Sequence, residues 1–161
     1  CGEGRHSLWL ATCGWEVTGL DFSRVAVDKA RAIAAQAPRR VRERLTYECA
    51  DVTGATFEAR YDLVLSAYLH FPPPQRQALI DNAIAALKPD GILIFLGHDS
   101  LNPTEGAGGP RDPEILYTPA DVVAEIDGRL QIRTAERRMR ETDAGMAIDA
   151  LVVARKPTLG S

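Results

Sequence analysis

The stretch that decides the fold is Cys1-Gly2-Glu3-Gly4-Arg5, at the front of the sequence. Two glycines at this spacing let the backbone turn tightly and pass close to a ligand. Residues 4–12 carry apolar contacts that suit a helix, and Gly14 ends it. A glycine-rich turn that opens a helix presents free N–H groups and a partial positive dipole. The stretch therefore predicts a cradle for a nucleotide-type cofactor, although G-x-G alone fits a tight structural turn equally well.

Two later strands end in a carboxylate, which strengthens this interpretation. Residues 15–21 alternate and then turn apolar, as expected of a strand that ends at Asp21. The next predicted strand covers residues 45–51 and ends at Asp51. Ser23 is the N-cap candidate of the helix between them. Ligands of doubly wound folds lie at the carboxyl ends of the strands, where Asp21 can accept both hydroxyls of a ribose.

Strands and helices continue to alternate through the middle of the chain. Residues 61–68 form a nearly continuous apolar run, typical of a strand in a parallel sheet covered on both faces. Apolar residues between 79 and 87 recur at helical spacing. Residues 88–91, Lys-Pro-Asp-Gly, are predicted to stop that helix and to turn into a buried strand at 92–96.

The last third of the chain predicts a loop, a short helix and a hairpin. Residues 97–117 are rich in glycine and proline, which argues against regular structure, and we expect this long loop to act as a substrate lid. Residues 118–121 fit a capping box. Strands at 130–140 and 147–155 are close enough in sequence to pair as an antiparallel hairpin. The whole pattern predicts a doubly wound α/β sandwich.

Length and charge narrow the class of protein. The 161 residues suit one domain, which we assign to residues 1–156, with residues 157–161 as a tail. The formal net charge of −3 creates no overall field that would attract nucleic acid. Basic clusters at 39–42 and 137–140 are interpreted as solvated surface charge, because neither is interleaved with aromatic residues. No apolar run reaches the length of a membrane helix, and no signal peptide precedes the domain.

The cysteines bear on metal content and location. Cys1, Cys13 and Cys49 are odd in number and lack C-x-x-C spacing. We therefore expect neither a disulfide framework nor a zinc site, and no metal. A reducing cytoplasm is the simplest location for such a chain.

Five motifs follow one another along more than half of the chain: Cys1-Gly-Glu-Gly-Arg5, Gly19-Leu-Asp-Phe-Ser23, Ala50-Asp-Val52, Tyr61-Asp-Leu-Val-Leu-Ser66 and Leu87-Lys-Pro-Asp-Gly91. In order and spacing they resemble a class I S-adenosylmethionine-dependent methyltransferase. The resemblance implies a Rossmann-like methyltransferase sandwich, with a mostly parallel sheet and a C-terminal antiparallel hairpin. It also implies an enzyme that transfers a methyl group from S-adenosyl-L-methionine to a small-molecule acceptor.

The resemblance assigns cofactor contacts to the strand ends. Asp21 would bind the ribose hydroxyls, and Phe22 would flank the adenine. Asp51 would accept the adenine amino group, and Val52 would offer a backbone N–H to the ring. The full set of implied cofactor-binding residues is Cys1, Gly2, Gly4, Asp21, Phe22, Ser23, Asp51, Val52, Ser66, Ala67 and Tyr68.

The front of the sequence departs from that family. The family's first strand, and the acidic residue that normally precedes the glycine turn, are absent. Omitting a buried central strand would forgo about 6–12 kcal/mol of apolar burial, close to the whole stability of a domain. We therefore expect a longer native protein, of which this sequence is N-terminally incomplete.

Methyl transfer needs a general base only when the acceptor is protonated at the working pH. His70 follows the strand at 61–68 and is the candidate catalytic base, with an ordinary loop histidine as the alternative. His98 is a candidate substrate-binding residue that could instead cap the long loop. Tyr117 is also a candidate substrate contact, and core or lid packing is the alternative for it and for Tyr68.

The sequence favours a small-molecule acceptor and leaves two competing functions open. Phe71-Pro-Pro-Pro74 lacks the polar residue of the motif that methylates amino nitrogens on DNA, which favours a small molecule over nucleic acid. One alternative is an NAD(P)-dependent oxidoreductase, because Gly2-x-Gly4-x-x-Ser7 with Asp21 partly fits that fingerprint. The other is a non-catalytic binding module with a methyltransferase fold. No feature of the sequence indicates whether the protein is a monomer or an oligomer.

Overall fold

The computed structural model describes residues 1–158 and divides the chain into two compact units, Cys1–Ala55 and Thr56–Ser161. The predicted single domain, 1–156, stays a prediction. Of the predicted tail, residues 157–158 have no helix or strand, and residues 159–161 lie outside the described part of the chain. No helix among the described residues is both long enough and apolar enough to cross a membrane.

The first unit is a pair of parallel strands with helices before and between them. Its elements are, in chain order, α1 (Arg5–Thr12), β1 (Val17–Asp21), α2 (Arg24–Ala34), α3 (Arg39–Arg42) and β2 (Leu45–Cys49). Val17 lies opposite Leu45, and Asp21 lies opposite Cys49. The side chains that α2 and β2 bury against each other form the core: Val27, Ala30, Ala34 and Tyr47. The alternating strand and helix predicted for this part of the chain are confirmed.

The second unit is a mixed four-stranded sheet with helices. Its elements are β3 (Tyr61–Ala67), α4 (Pro73–Ala86), β4 (Leu87–His98), α5 (Asn102–Glu105), a 3-10 helix (Pro113–Ile115), α6 (Pro119–Ile126), β5 (Gln131–Thr142) and β6 (Gly145–Arg155). The strand order is β3-β4-β6-β5. The β3–β4 pair is parallel, and β6 is antiparallel to both β4 and β5. The predicted C-terminal hairpin is therefore confirmed.

Local signals in the sequence account for two of the helix starts. In α6, the Thr118 hydroxyl accepts a hydrogen bond from the Asp121 amide, and the Asp121 carboxylate accepts one from the Thr118 amide. This is the predicted capping box, with Pro119 at the first helical position. Helix α4 likewise begins with proline, at Pro73. Proline is tolerated there because the N–H that it lacks would have no partner within the helix.

Three predicted elements differ in the structure. Residues 88–91 do not separate helix from strand, because β4 already begins at Leu87 and carries them as an irregularity with Asp90 at φ 67°. The segment 97–117 contains α5 and the 3-10 helix, so the expectation of no regular structure was wrong. Strand β2 ends at Cys49, which leaves Asp51 in the following turn.

Candidate functional site

The glycine turn of the first unit is built on two left-handed residues. Gly2 has φ 56° and Gly4 has φ 80°, a region that side chains of other residues rarely adopt. The Gly4 amide donates to the Cys1 carbonyl at 3.1 Å, and Gly4 is the N-cap of α1. The predicted tight turn that opens a helix is thus present.

The surroundings of Gly2 and Gly4 differ. A Cβ on Gly4 would lie 2.5 Å from the Tyr47 hydroxyl and 3.0 Å from the Ala30 Cβ, so Gly4 is required by packing inside the unit. A Cβ on Gly2 would meet no atom within 4 Å. Gly2 is therefore the glycine whose backbone lies open to a ligand. The contact of Tyr47 with Gly4 was not predicted from the sequence. The aromatic character of Tyr47 in the middle of a strand indicates a buried residue but not its partner.

Asp21 joins the end of β1 to the glycine turn. Its Oδ2 accepts from the Gly2 amide at 2.7 Å and from the Cys1 nitrogen at 3.0 Å, and its Oδ1 accepts from the Ser23 amide at 2.9 Å. Burial alone would raise the pKa of Asp21, but hydrogen bonds from the amides of Ser23 and Gly2 contribute to lowering it below its ordinary value. Asp21 is therefore an ionised acceptor at neutral pH.

The other predicted contacts of this unit lie around the same strand ends. Phe22 is 69% exposed, so its ring is available for stacking. Ser23 caps α2, as predicted, by accepting from the Ala26 amide at 3.3 Å. The Oδ1 of Asp51 accepts from the amide and hydroxyl of Thr53 at 2.9 and 2.7 Å.

These two hydrogen bonds from Thr53 are the main cause of a lowered pKa of Asp51. Val52, which follows Asp51 in the chain, is half-buried.

In the second unit, three predicted cofactor contacts lie at the end of β3. Ser66 is buried, and its Oγ has no hydrogen-bond partner among the described residues. Ala67 ends the strand. Tyr68 follows with φ 54°, and its amide donates to the Leu96 carbonyl at 2.7 Å. A left-handed residue other than glycine stores strain, and such strain tends to occur at functional sites.

Tyr68, His98, Arg140 and Asp149 form a polar group that we call the Asp149 cluster. Asp149 is only 2% exposed. Its Oδ2 accepts from the Tyr68 hydroxyl at 2.8 Å and from the Arg140 Nε at 2.7 Å. The His98 Nδ1 lies 3.3 Å from the Asp149 Oδ1. Asp149 was not predicted from the sequence, and the interpretation of Arg140 as solvated surface charge is corrected by its pairing with this buried carboxylate. Only the strand register of the hairpin brings both residues to Tyr68 and His98.

The cluster shifts the proton affinities of two of its members. Burial raises the pKa of Tyr68 to about 12, and its hydrogen bond to Asp149 adds to the effect. Burial lowers the pKa of His98, which outweighs the opposite influence of the Asp149 carboxylate. At neutral pH the cluster thus contains a protonated phenol and a neutral imidazole.

His70 supports His98 from one side. The His70 Nε2 accepts a hydrogen bond from the backbone amide of His98 at 3.0 Å. The two rings are stacked, with centroids 5.5 Å apart. Burial, and then the neighbouring His98, lower the pKa of His70 to about 4. His70 is therefore a neutral imidazole whose Nε2 lone pair is already engaged.

Tyr117 lies next to His70. It is 1% exposed, and its hydroxyl has no hydrogen-bond partner among the described residues. Its ring is 5.9 Å from that of His70. Gly97 makes room for it, since a Cβ there would collide with the Tyr117 hydroxyl and lie 3.0 Å from the His70 Nε2. Packing in the core thus accounts for the position of the Tyr117 side chain, and contact of Tyr117 with substrate stays a prediction.

The segment after His98 is anchored at its start. Asn102 is fully buried, and its side chain accepts from the Ile148 amide and donates to the Gly108 carbonyl, both at 2.8 Å. Asp99, also fully buried, accepts from the Leu101 amide and pairs with Arg137 at 2.9 Å. The predicted lid is therefore tied to β6 at Asn102 and to β5 at Asp99.

The structure brings the predicted site residues together in two groups. In the first unit, Cys1, Gly2, Asp21 and Ser23 are joined by hydrogen bonds. In the second unit, ring contacts link Tyr68 with His98, His98 with His70, and His70 with Tyr117.

The lowered pKa of His70 should make the thermal stability of the folded protein decrease at acidic pH. Its pKa is about 4 in the folded protein against an ordinary value of 6.5, so the unfolded chain binds its proton more readily. This contribution to stability is complete above pH 6.5 and is lost as the pH falls toward 4. We expect His70→Gln to flatten the dependence of Tm on pH in that window. His6→Gln, which alters an exposed histidine, is the matched control, and an unchanged slope in His70→Gln would contradict the assignment.

Comparison with known families identifies the chain. The family model described as "Methyltransferase domain" matches residues 1–91, more than half of the sequence. The chain therefore belongs to the methyltransferase-domain family, and the predicted family is confirmed. The match spans the glycine turn with Asp21, strand β3 and the beginning of β4.

Solved structures share the fold. A SAM-dependent methyltransferase from Methanosarcina mazei has a TM-score of 0.78 and 21% identity, over 98% of this chain and 89% of that one. The glycopeptide N-methyltransferase MtfA in complex with S-adenosyl-L-methionine has a TM-score of 0.77 and 21% identity, over 98% and 79%. At this identity the likeness shows the fold alone, and it confirms the predicted Rossmann-like methyltransferase class.

Curated relatives match at higher identity over part of their length. A ubiquinone biosynthesis O-methyltransferase from Coxiella burnetii is 38% identical over 98 residues, which cover 59% of this chain and 39% of the relative. A carboxy-S-adenosyl-L-methionine synthase from Trichlorobacter lovleyi is 36% identical over 108 residues, covering 59% and 43%. The chain thus spans about two fifths of the length of these relatives.

Proposed function

We propose that the protein transfers a methyl group from S-adenosyl-L-methionine to a small-molecule acceptor. The observation that carries the proposal is the open, left-handed Gly2 hydrogen-bonded to the ionised Asp21 at a strand end. Membership of the methyltransferase-domain family supports it. The curated relatives differ in the reactions that their names describe, but both names concern methyl transfer or an S-adenosylmethionine derivative.

The residues of the first unit fit this cofactor. A carboxylate has about four acceptor positions, and the three nitrogen donors on Asp21 leave capacity for a ribose hydroxyl. The exposed ring of Phe22 can stack on an adenine. The free N–H groups and dipole of α1 lie next to Gly2 and Gly4.

We propose the complete cofactor set that the family resemblance implies: Cys1, Gly2, Gly4, Asp21, Phe22, Ser23, Asp51, Val52, Ser66, Ala67 and Tyr68. Within it, the structure gives Gly4 a packing role and Ser23 a capping role. Bound S-adenosyl-L-methionine supplies an already electrophilic methyl group, so the protein needs chiefly to position donor and acceptor.

We propose a cytoplasmic protein that acts on a small molecule and does not bind nucleic acid. The net charge of −3 supports this, because proteins that bind nucleic acid usually present a basic surface. The oxidoreductase alternative is disfavoured by the family match and by the antiparallel strands β5 and β6, which an ordinary dinucleotide-binding domain lacks.

We also propose that residues 1–156 belong to one methyltransferase domain. Among the described residues, β1 pairs with β2 alone and β3 pairs with β4 alone, so each unit leaves a strand edge unpaired. Unpaired edges are prone to intermolecular association. We expect the 161 residues to aggregate, as measured by light scattering. A monomer of these residues that unfolds in one cooperative transition would contradict this.

The proposed reaction is tested with tritium-labelled methyl donor and a panel of phenols, amines and thiols. Transfer of label to at least one acceptor by the native full-length protein is expected. Asp21→Ala should lose most of this transfer at low donor concentration, and Asp28→Asn, on the exposed face of α2, should not. If the protein binds the donor but labels no acceptor class, the binding-module alternative is favoured instead.

A further inference from the structure

We infer that His98 is the group that takes a proton from the acceptor, and that Asp149 is the positioning residue that orients it. The inference rests on the proposed function and deepens it, because it assigns the acceptor to a chemical class. That class comprises nucleophiles that still carry a proton at neutral pH on the atom to be methylated, such as a phenol.

The first support is the contact between the two side chains. The His98 Nδ1 lies 3.3 Å from the Asp149 Oδ1, and Nδ1 is buried with no aligned hydrogen-bond partner in the described residues. A buried carboxylate at this distance favours the tautomer with hydrogen on Nδ1, which places the lone pair on Nε2. Hydrogen bonds of this kind are often poorly aligned until substrate is bound.

The second support is the glycine that lies beside the other ring nitrogen. Gly109 adopts φ 73°, and a Cβ on it would lie 2.7 Å from the His98 Nε2 and 2.6 Å from its Cδ2. Any larger residue at 109 would cover the nitrogen that must receive the proton. Glycine at 109 therefore lets the 106–109 turn approach the His98 ring closely without a side chain that would clash with Nε2.

The third support is a comparison of the two stacked histidines. The His70 Nε2 is occupied by the His98 amide, so this bond would have to break before His70 could act as a base. His98 carries no such restraint on Nε2 among the hydrogen bonds of the described residues. His70 instead fixes the backbone from which His98 projects.

The surroundings of His98 suit a neutral base that becomes charged during reaction. Asp149, Arg140, Tyr68 and His70 are the titratable or charged groups that face it. Arg140 compensates the Asp149 charge, and burial keeps the imidazole unprotonated. The Asp149 carboxylate then stabilises the imidazolium once it forms.

In the inferred step, methyl transfer to the acceptor atom is accompanied by loss of that atom's proton. The acceptor atom forms a bond to the methyl carbon with its lone pair, and the carbon–sulfur bond breaks with its electrons remaining on sulfur. The proton of the acceptor atom passes to the His98 Nε2 and is released to solvent afterwards. No oxidant, reductant or metal takes part.

Two catechol probes separate a base from a structural residue. Catechol keeps its proton at neutral pH, whereas the hydroxyl of 4-nitrocatechol is far more acidic and needs little help to ionise. General-base catalysis contributes about 10²- to 10⁴-fold. We expect His98→Gln to lower kcat for catechol by at least 100-fold and for 4-nitrocatechol much less. We expect Asp149→Asn to lower kcat for catechol by about tenfold or more, with little change in KM.

A histidine NMR titration of the native protein provides a readout that needs no acceptor. The chain has three histidines, which His→Gln variants assign. Asp149→Asn should lower the pKa of His98, whereas Asp62→Asn, at an exposed ion pair with Lys88, should leave it unchanged. An unchanged pKa of His98 in Asp149→Asn, or equal losses of kcat for both catechols in His98→Gln, would overturn the inference. Donor binding is measured separately by calorimetry, so its failure would contradict the proposed function alone.

Discussion

Replacing Gly4 with alanine is expected to destabilise the folded protein by about 2–5 kcal/mol. The change forces a side chain into a left-handed backbone, which costs roughly 1–2 kcal/mol. It also places a methyl group 2.5 Å from the Tyr47 hydroxyl and 3.0 Å from the Ala30 Cβ, and overpacking of this kind costs about 1–3 kcal/mol. Urea unfolding followed by circular dichroism measures the loss.

A matched substitution at Gly2 separates the free-energy cost of backbone strain from that of the steric overlap with Tyr47. Gly2→Ala has a similar left-handed φ but meets no atom within 4 Å, so it should cost only the backbone share of about 1–2 kcal/mol. Removing the Tyr47 hydroxyl in a Gly4→Ala, Tyr47→Phe double variant should recover part of the packing loss. If the Gly4 and Gly2 variants are equally stable, the assignment of Gly4 to packing against Tyr47 is wrong.

Asp21→Ala is expected to weaken binding of S-adenosylhomocysteine by about 10- to 150-fold. A hydrogen bond to a charged group contributes about 1.5–3 kcal/mol, and each 1.4 kcal/mol is a factor of ten in Kd. The substitution also frees the Gly2 and Ser23 amides, which Asp21 now holds at 2.7 and 2.9 Å. Isothermal titration calorimetry measures the change in affinity.

The control for Asp21 is another aspartate of the same unit. Asp28→Asn removes an exposed carboxylate 3.5 Å from Arg31 and should leave affinity unchanged. Asp21→Asn keeps the shape but removes the charge, so its affinity should lie between those of the native protein and Asp21→Ala. Native affinity in Asp21→Ala, with the protein still folded, would rule out the ribose assignment.

Local signals in the sequence predicted much of the fold. The Gly2 and Gly4 turn, the Ser23 cap and the Thr118–Asp121 capping box each depend on a few neighbouring residues, and each is present. The hairpin followed from two predicted strands that only a few residues separate. The segment at 97–117 was harder, because its order comes from the buried side chains of Asp99 and Asn102, whose partners are distant in sequence.

The Asp149 cluster shows why the site could be predicted only in part. Tyr68 and His98 follow or end strands, so position along the chain pointed to them. Asp149 and Arg140 lie inside the hairpin strands, where polar residues usually face solvent. Only the pairing of His98 with Asp149 across β4 and β6, and of Arg140 near Asp149 across β5 and β6, brings the four together.

The central claim is that this chain carries an S-adenosylmethionine-binding methyltransferase site. Calorimetric titration of the full-length native protein with S-adenosylhomocysteine, and in parallel with NADH, tests it most directly. The account predicts saturable heat with S-adenosylhomocysteine at one site per chain, which Asp21→Ala weakens, and no binding of NADH. Saturable binding of NADH together with no heat from S-adenosylhomocysteine would contradict it.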